Sequence, residues 1–114
     1  MLRSHRLQLH ARIANVLENV FPETATTTPE ILAQHYTAAG IATQAIPYCL
    51  RAGQNELEGS ALTEAINHLT KGLELLSGIE DEKVRAGREL ELQAALALAL
   101  RAAKGYAAPE VERA

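Results

Sequence analysis

The chain has no tryptophan, one phenylalanine and three tyrosines in 114 residues, an aromatic share of 4%. That shortage argues against a β-sandwich or barrel, whose cores draw on aromatic and β-branched residues. A single cysteine, Cys49, rules out an internal disulfide and suits a reducing compartment. The longest wholly apolar run, Ala94 to Leu100, is too short to cross a bilayer. The first twelve residues interleave Arg and His with apolar residues, unlike a secretory leader. The net charge of −3 has its acidic excess in residues 58–114, and no block of like charge addresses nucleic acid or a membrane surface. A cytoplasmic protein is the expectation.

Catalytic equipment is equally sparse. Asp81 is the only aspartate, and no GxxxxGK[ST] phosphate loop occurs, which removes the usual frames for nucleotide and two-metal chemistry. His5, His10, His35 and His68 do not pair with Cys, Asp or one another at ligand spacing, and HExxH is absent. Glu64 and His68, four residues apart, read as a solvated pair on one helix face. Cys49 would need a positioned base to act as a nucleophile; a small buried packing residue is the simpler expectation. Tyr106, between Gly105 and Pro109, reads as a turn aromatic packed between helices. Arg3, Arg6 and Arg12 with His5 and His10 lack interleaved aromatics, so a solvated face or contact with an upstream domain is expected rather than phosphate binding. No catalytic, cofactor-binding or metal-binding residue is assigned, and no cofactor is expected.

What the chain has is Ala, Leu and regular punctuation. Apolar residues make up 47%, enough for a modest core in one domain. A first helix is predicted over 2–20, with Leu9, Ile13, Val16, Leu17 and Val20 as one apolar stripe. Its basic, uncapped beginning opposes the helix dipole, so a preceding segment of a longer polypeptide is expected. Phe21-Pro22-Glu23 ends it and Thr24–Thr28 reads as a polar link. Thr28, Pro29 and Glu30 read as cap, first-turn proline and first-turn acid of a helix to Ala39, stopped by Gly40. A third helix spans 42–58, with Pro47 tolerated near its start. Gly59 and Ser60 break it, and Ser60 is expected to cap a fourth helix over 62–76, striped by Ala65, Ile66, Leu69, Leu73 and Leu76. Glu80, Asp81 and Glu82 open a fifth helix to Lys104, with Gly105 as its stop. Pro109 and Glu110 begin a truncated sixth. The chain is predicted to be one all-α domain over 1–114: an N-terminal helix (1–23), a repeat-like centre (29–77) and a long helix with a stub (80–114).

Within that centre, Leu32, Ala33, Tyr36, Gly40, Ala45 and Ala52 place large residues where a helix pair needs filling and small ones where backbones must approach. Ala52, Gly53, Ala65, Leu69, Gly72 and Leu73 form a second, overlapping set. Both sets resemble the tetratricopeptide repeat, a helix–turn–helix unit of about 34 residues that stacks into a solenoid. Longer phrases resemble a particular family: Leu9-His10-Ala11-Arg12-Ile13-Ala14, Phe21-Pro22-Glu23, His35-Tyr36-Thr37-Ala38-Ala39-Gly40, Arg51-Ala52-Gly53-Gln54, Glu64-Ala65-Ile66-Asn67-His68-Leu69 and Lys104-Gly105-Tyr106-Ala107-Ala108-Pro109-Glu110-Val111. They are similar to the repeat region of bacterial signalling proteins that join a class III adenylate/guanylate cyclase or regulatory module to a signal-transducing ATPase. The resemblance implies a non-catalytic scaffold that senses or recruits a partner protein, or restrains the ATPase. The cyclase and ATPase modules lie outside the resemblance, so no catalytic residue carries over. Cys49 stands where the repeat favours an aromatic.

The repeat register nominates Gln34 and Thr37 in one unit, with Gln54 and Leu57 in the next, as a concave protein-binding face. On the fifth helix Leu90, Leu92, Leu96, Leu98 and Leu100 do not share a face at 100° per residue. A helix apolar on several sides needs several neighbours, and Leu92, Leu96, Leu98 and Leu100 are the expected self-association residues of a homodimer. The alternatives are a free-standing self-associating protein and a gene remnant without function.

Overall fold

The computed structural model describes residues 2–107, with side chains over 4–105. Six helices follow one another: α1 (Leu2–Val20), α2 (Pro22–Thr27), α3 (Pro29–Ala38), α4 (Ala42–Glu58), α5 (Leu62–Glu74) and α6 (Glu82–Ala107). A 3-10 turn, Leu75–Gly78, joins the last two. Among the described residues there is no strand. The truncated sixth helix expected at Pro109 and Glu110 lies outside the described residues.

Two stops set the geometry of the centre. Gly40 takes a left-handed φ of +77°, and the Ile41 N–H reaches back to the Tyr36 carbonyl at 3.0 Å. That six-to-one bond closes α3 and turns the chain into α4. The same device ends α4, where the Ala61 N–H donates to the Glu56 carbonyl at 2.8 Å. Here the left-handed residue is Ser60, φ 64°, while Gly59 keeps a right-handed φ of −89°. Ser60 therefore terminates α4 instead of capping α5, whose N-cap position is Ala61.

Four further expectations need correction. The segment read as a polar link is the short helix α2, held by a Thr27 hydroxyl bond to the Glu23 carbonyl at 2.8 Å and by burial of Ala25. Thr28 occupies the N-cap position of α3 without capping it; its hydroxyl donates back to the Thr24 carbonyl, 3.2 Å, closing α2. Of the apolar stripe of α1, only Leu17 packs against the core. Ala14 is the fully buried residue there, whereas Leu9, Val16 and Val20 are exposed. Polar contacts of His10 and Glu18 add to Ala14 and Leu17 in holding the inward face of α1. Gly105 also fails to stop the last helix, which continues to Ala107.

The core has two lobes that share α4. Ile46 and Leu50 on one side of α4 pack with Ala65 and Leu69 of α5, Leu76 of the turn and Ile79 just after it, and Leu92, Ala95 and Ala99 of α6. Ala45, Tyr48 and Cys49 on the other side pack with Leu32, Ala33 and Tyr36 of α3, Ala25 of α2 and Ala14 of α1. Neighbouring helices thus alternate along an elongated body of 58 × 30 × 24 Å. Close approach depends on missing side chains. A Cβ on Gly53 would meet Leu69 at 2.6 Å, and one on Gly72 would meet Leu92 at 2.8 Å.

Candidate interaction groove

Because α4 lies between α3 and α5 in the packing order, it forms the floor of a groove whose walls are those two helices. Glu30, Ala33, Gln34, Thr37 and Ala38 come from α3, His68 and Lys71 from α5, and Cys49 from the floor; the space is about 450 Å³. The spacing 30, 33, 34, 37 and 38 is one face of a helix, so a single stripe of α3 supplies a whole wall. The face mixes methyl groups with an amide, a hydroxyl, one carboxylate and one ammonium. Such a lining suits a peptide segment, with apolar contact below and hydrogen-bonding groups at the rim.

His68 is held in place from behind. Its Nδ1 lies 2.7 Å from Glu56 Oε1, which orients the ring and makes an ion pair when the imidazole is protonated. Cys49 is nearly completely buried, and burial pushes its thiol up to about 11, with Lys71 pulling the other way. At neutral pH it is a protonated thiol, a weak nucleophile. Among the described residues, no group of three or more His, Cys, Asp or Glu could hold a metal ion.

The four residues nominated for a concave face do not converge. Gln34 and Thr37 stand together in the groove. Gln54 and Leu57 lie on the other side of α4 and line a separate cleft of about 710 Å³ with Glu91, Ala94 and Leu98 of α6. The helix that faces α3 across the groove is α5, not α4, so the partners of Gln34 and Thr37 are His68 and Lys71. Of the self-association residues, Leu92 is fully buried, filling the space over Gly72, and is unavailable to a partner. Leu96 packs against the α4–α5–α6 core. Leu98 and Leu100 remain exposed.

A second polar cluster locks α1 onto this frame. Tyr36 and Tyr48 stack with centroids 5.9 Å apart and planes 6° from parallel, and each donates its hydroxyl to a different oxygen of Glu18, Tyr36 at 2.7 Å. Burial, reinforced by the bonds to Glu18, raises both phenols, Tyr48 to about 12 and Tyr36 further, so both stay protonated donors at neutral pH. The Arg51 guanidinium lies 5.4 Å over the Tyr48 ring and donates to the Ala25 carbonyl at 3.2 Å, tying in α2. His10 and His35 are joined by a hydrogen bond between Nδ1 atoms 2.9 Å apart, one ring donating and the other accepting. Sequence reasoning missed this cluster. The available signal was Glu18, the only acid among the first 22 residues, and two of only three tyrosines.

No family model, curated protein or solved structure matches this chain. No helix among the described residues is long and apolar enough to cross a membrane.

Proposed function

We propose that this chain is a non-catalytic protein–protein interaction module of tetratricopeptide type that holds a peptide segment of a partner between α3 and α5. The observation that carries the reading is the groove itself, with Gln34 and Thr37 on one wall, His68 and Lys71 on the other and the buried Cys49 beneath. Alternating antiparallel neighbours, with small residues where helices meet, support a hairpin-repeat interpretation. The sequence phrases similar to cyclase- or regulator-linked signalling ATPases support a place in bacterial cytoplasmic signalling, with the partner being another protein or a neighbouring domain of the same polypeptide. The module has no reaction of its own in this reading, since its only cysteine is a buried thiol and three of its four histidines are paired, His68 with Glu56 and His10 with His35.

Selection of displayed random peptides on the full chain, followed by amide-shift mapping of a selected peptide, tests the reading. The expected footprint is Ala33, Gln34, Thr37, His68 and Lys71, with binding lost in Thr37→Arg and kept in Gln54→Arg. Selected peptides that ignore Thr37→Arg, or ATP turnover by the purified chain above a buffer blank, would overturn it.

A further inference from the structure

The two walls of the α3–α5 groove carry opposite charges that do not meet. Glu30 stands on the α3 wall and Lys71 on the α5 wall of one space, and neither enters an ion pair among the described residues. Lys71 is exposed and Glu30 half-buried. The other ionisable groups of the lining are already engaged or neutral. His68 is bonded to Glu56 behind it at 2.7 Å. Cys49 is a buried thiol whose proton is held by burial, with Lys71 close enough to oppose it. The rest of the lining is the methyl groups of Ala33 and Ala38, the Gln34 amide and the Thr37 hydroxyl. An amide and a hydroxyl suit the backbone N–H and C=O groups that an extended segment presents and a helix keeps for itself. In an extended segment, successive side chains point to opposite sides. Neighbouring residues of such a segment therefore address opposite walls.

We propose, on the reading of this groove as a peptide site, that its occupant is an extended segment with an acidic and a basic residue side by side, the acid set against Lys71 and the base against Glu30. Charge complementarity selects that pair over the others. Two adjacent acids would bring one of them to Glu30, and two adjacent bases would bring one to Lys71, so each sets like charges together. An apolar pair would strip water from both charges and give neither a partner. Because Lys71 stays in contact with water, its ion pair changes affinity only several-fold and weakens with salt. The two charges thus choose among peptides more than they tighten any one of them.

Selection of displayed random octapeptides on the full chain, repeated on Lys71→Gln and Glu30→Gln, tests this, with circular dichroism to confirm that each variant is folded. Octapeptides selected on wild type are expected to be enriched several-fold over the starting library in Asp or Glu next to Lys or Arg. Lys71→Gln should abolish the enrichment in acid and keep that in base, and Glu30→Gln should do the opposite. For one selected octapeptide, replacing its acid by the matching amide should weaken binding to wild type several-fold and leave binding to Lys71→Gln unchanged. A merely structural effect of the substitution would not give that coupling. Octapeptides that lose binding with Thr37→Arg yet show no acid–base pairing, or a pairing that persists in both variants, would overturn the proposal and leave the groove as a peptide site. A selection that yields no octapeptide sensitive to Thr37→Arg would overturn the peptide site and the proposal together.

Discussion

Gly53 of α4 and Leu69 of α5 meet so closely that a single added methyl group would lie 2.6 Å from the Leu69 side chain. Leu69 is fully buried, and its Cγ as well as a terminal methyl lies at that distance. The absence of a side chain at 53 is therefore what lets two helices share one core layer.

The consequence is a contrast among glycines. Alanine in a helix gains about 1 kcal/mol over glycine, and at Gly87 of α6, where an added Cβ meets nothing within 4 Å, Gly87→Ala is expected to stabilise by that amount. Overpacking of about 1–3 kcal/mol offsets or exceeds the same gain at Gly53 and at Gly72, whose Cβ would strike buried Leu92. Thermal melts followed at 222 nm should therefore rise for Gly87→Ala and fall for Gly53→Ala and Gly72→Ala. A rise in all three would mean that the helices separate without cost.

That contact also marks how far the sequence could be read. Gly53, Ala65, Leu69 and Gly72 were legible because small and large residues at helical spacing have few uses other than helix–helix contact. The helix bounds were legible wherever Gly40, Ser60 or Gly78 interrupts a stripe. The α1 stripe was legible as a stripe but not in direction, because periodicity is the same whether a face meets the core or points away from it. Short α2 was hidden by its threonines, poor helix formers whose hydroxyl bonds to carbonyls one turn back are visible only in three dimensions. Gln34 and Thr37 were found from spacing within one helix. Their partners His68 and Lys71 were not, because pairing α3 with α5 depends on how α4 packs between them.

Glu18 is expected to hold α1 in place. Hydrogen bonds to a charged group contribute about 1.5–3 kcal/mol each, and removing this carboxylate leaves two buried phenols short of an acceptor. Glu18→Ala should destabilise by about 2–3 kcal/mol, with amide exchange accelerating in α1 before α5 or α6. Absorbance titration gives an independent readout: Tyr48, held at about 12 first by burial and then by Glu18, should ionise at lower pH in the variant. Unchanged tyrosine titration would show that the carboxylate does not receive these bonds in solution.

Ser60 carries strain that glycine would relieve. An L-residue in the left-handed region costs about 1–2 kcal/mol, part of which glycine loses again through its freer unfolded chain. Ser60→Gly should stabilise by about 0.5–1 kcal/mol, or about 2–4 °C. Gly40→Ala should do the reverse by about 1 kcal/mol, purely through the backbone, because nothing lies within 4 Å of an added Cβ there. Equal melting temperatures for Ser60→Gly and wild type would show that the turn relaxes without left-handed geometry.

Acid should loosen α1 through His10 and His35. With Nδ1 atoms 2.9 Å apart, one ring donates and the other accepts, and a proton added to the accepting Nδ1 would set two N–H donors face to face. Burial first, and the neighbouring His10 second, hold His35 below its ordinary value of 6.5. The folded chain thus takes up this proton at lower pH than the unfolded chain does. Stability from the pair is intact above about pH 6.5, where neither state is protonated at His35. It falls as pH drops below that, because only the unfolded state gains the proton, and levels off once folded His35 is protonated too. Melting temperatures between pH 7.5 and 5 should decline for wild type and decline less for His35→Gln, with the difference opening below pH 6.5. Amide exchange at pH 5.5 should locate the loss in α1 and leave α5 protected. A His35→Gln profile parallel to wild type throughout that range would remove the histidine pair as the cause.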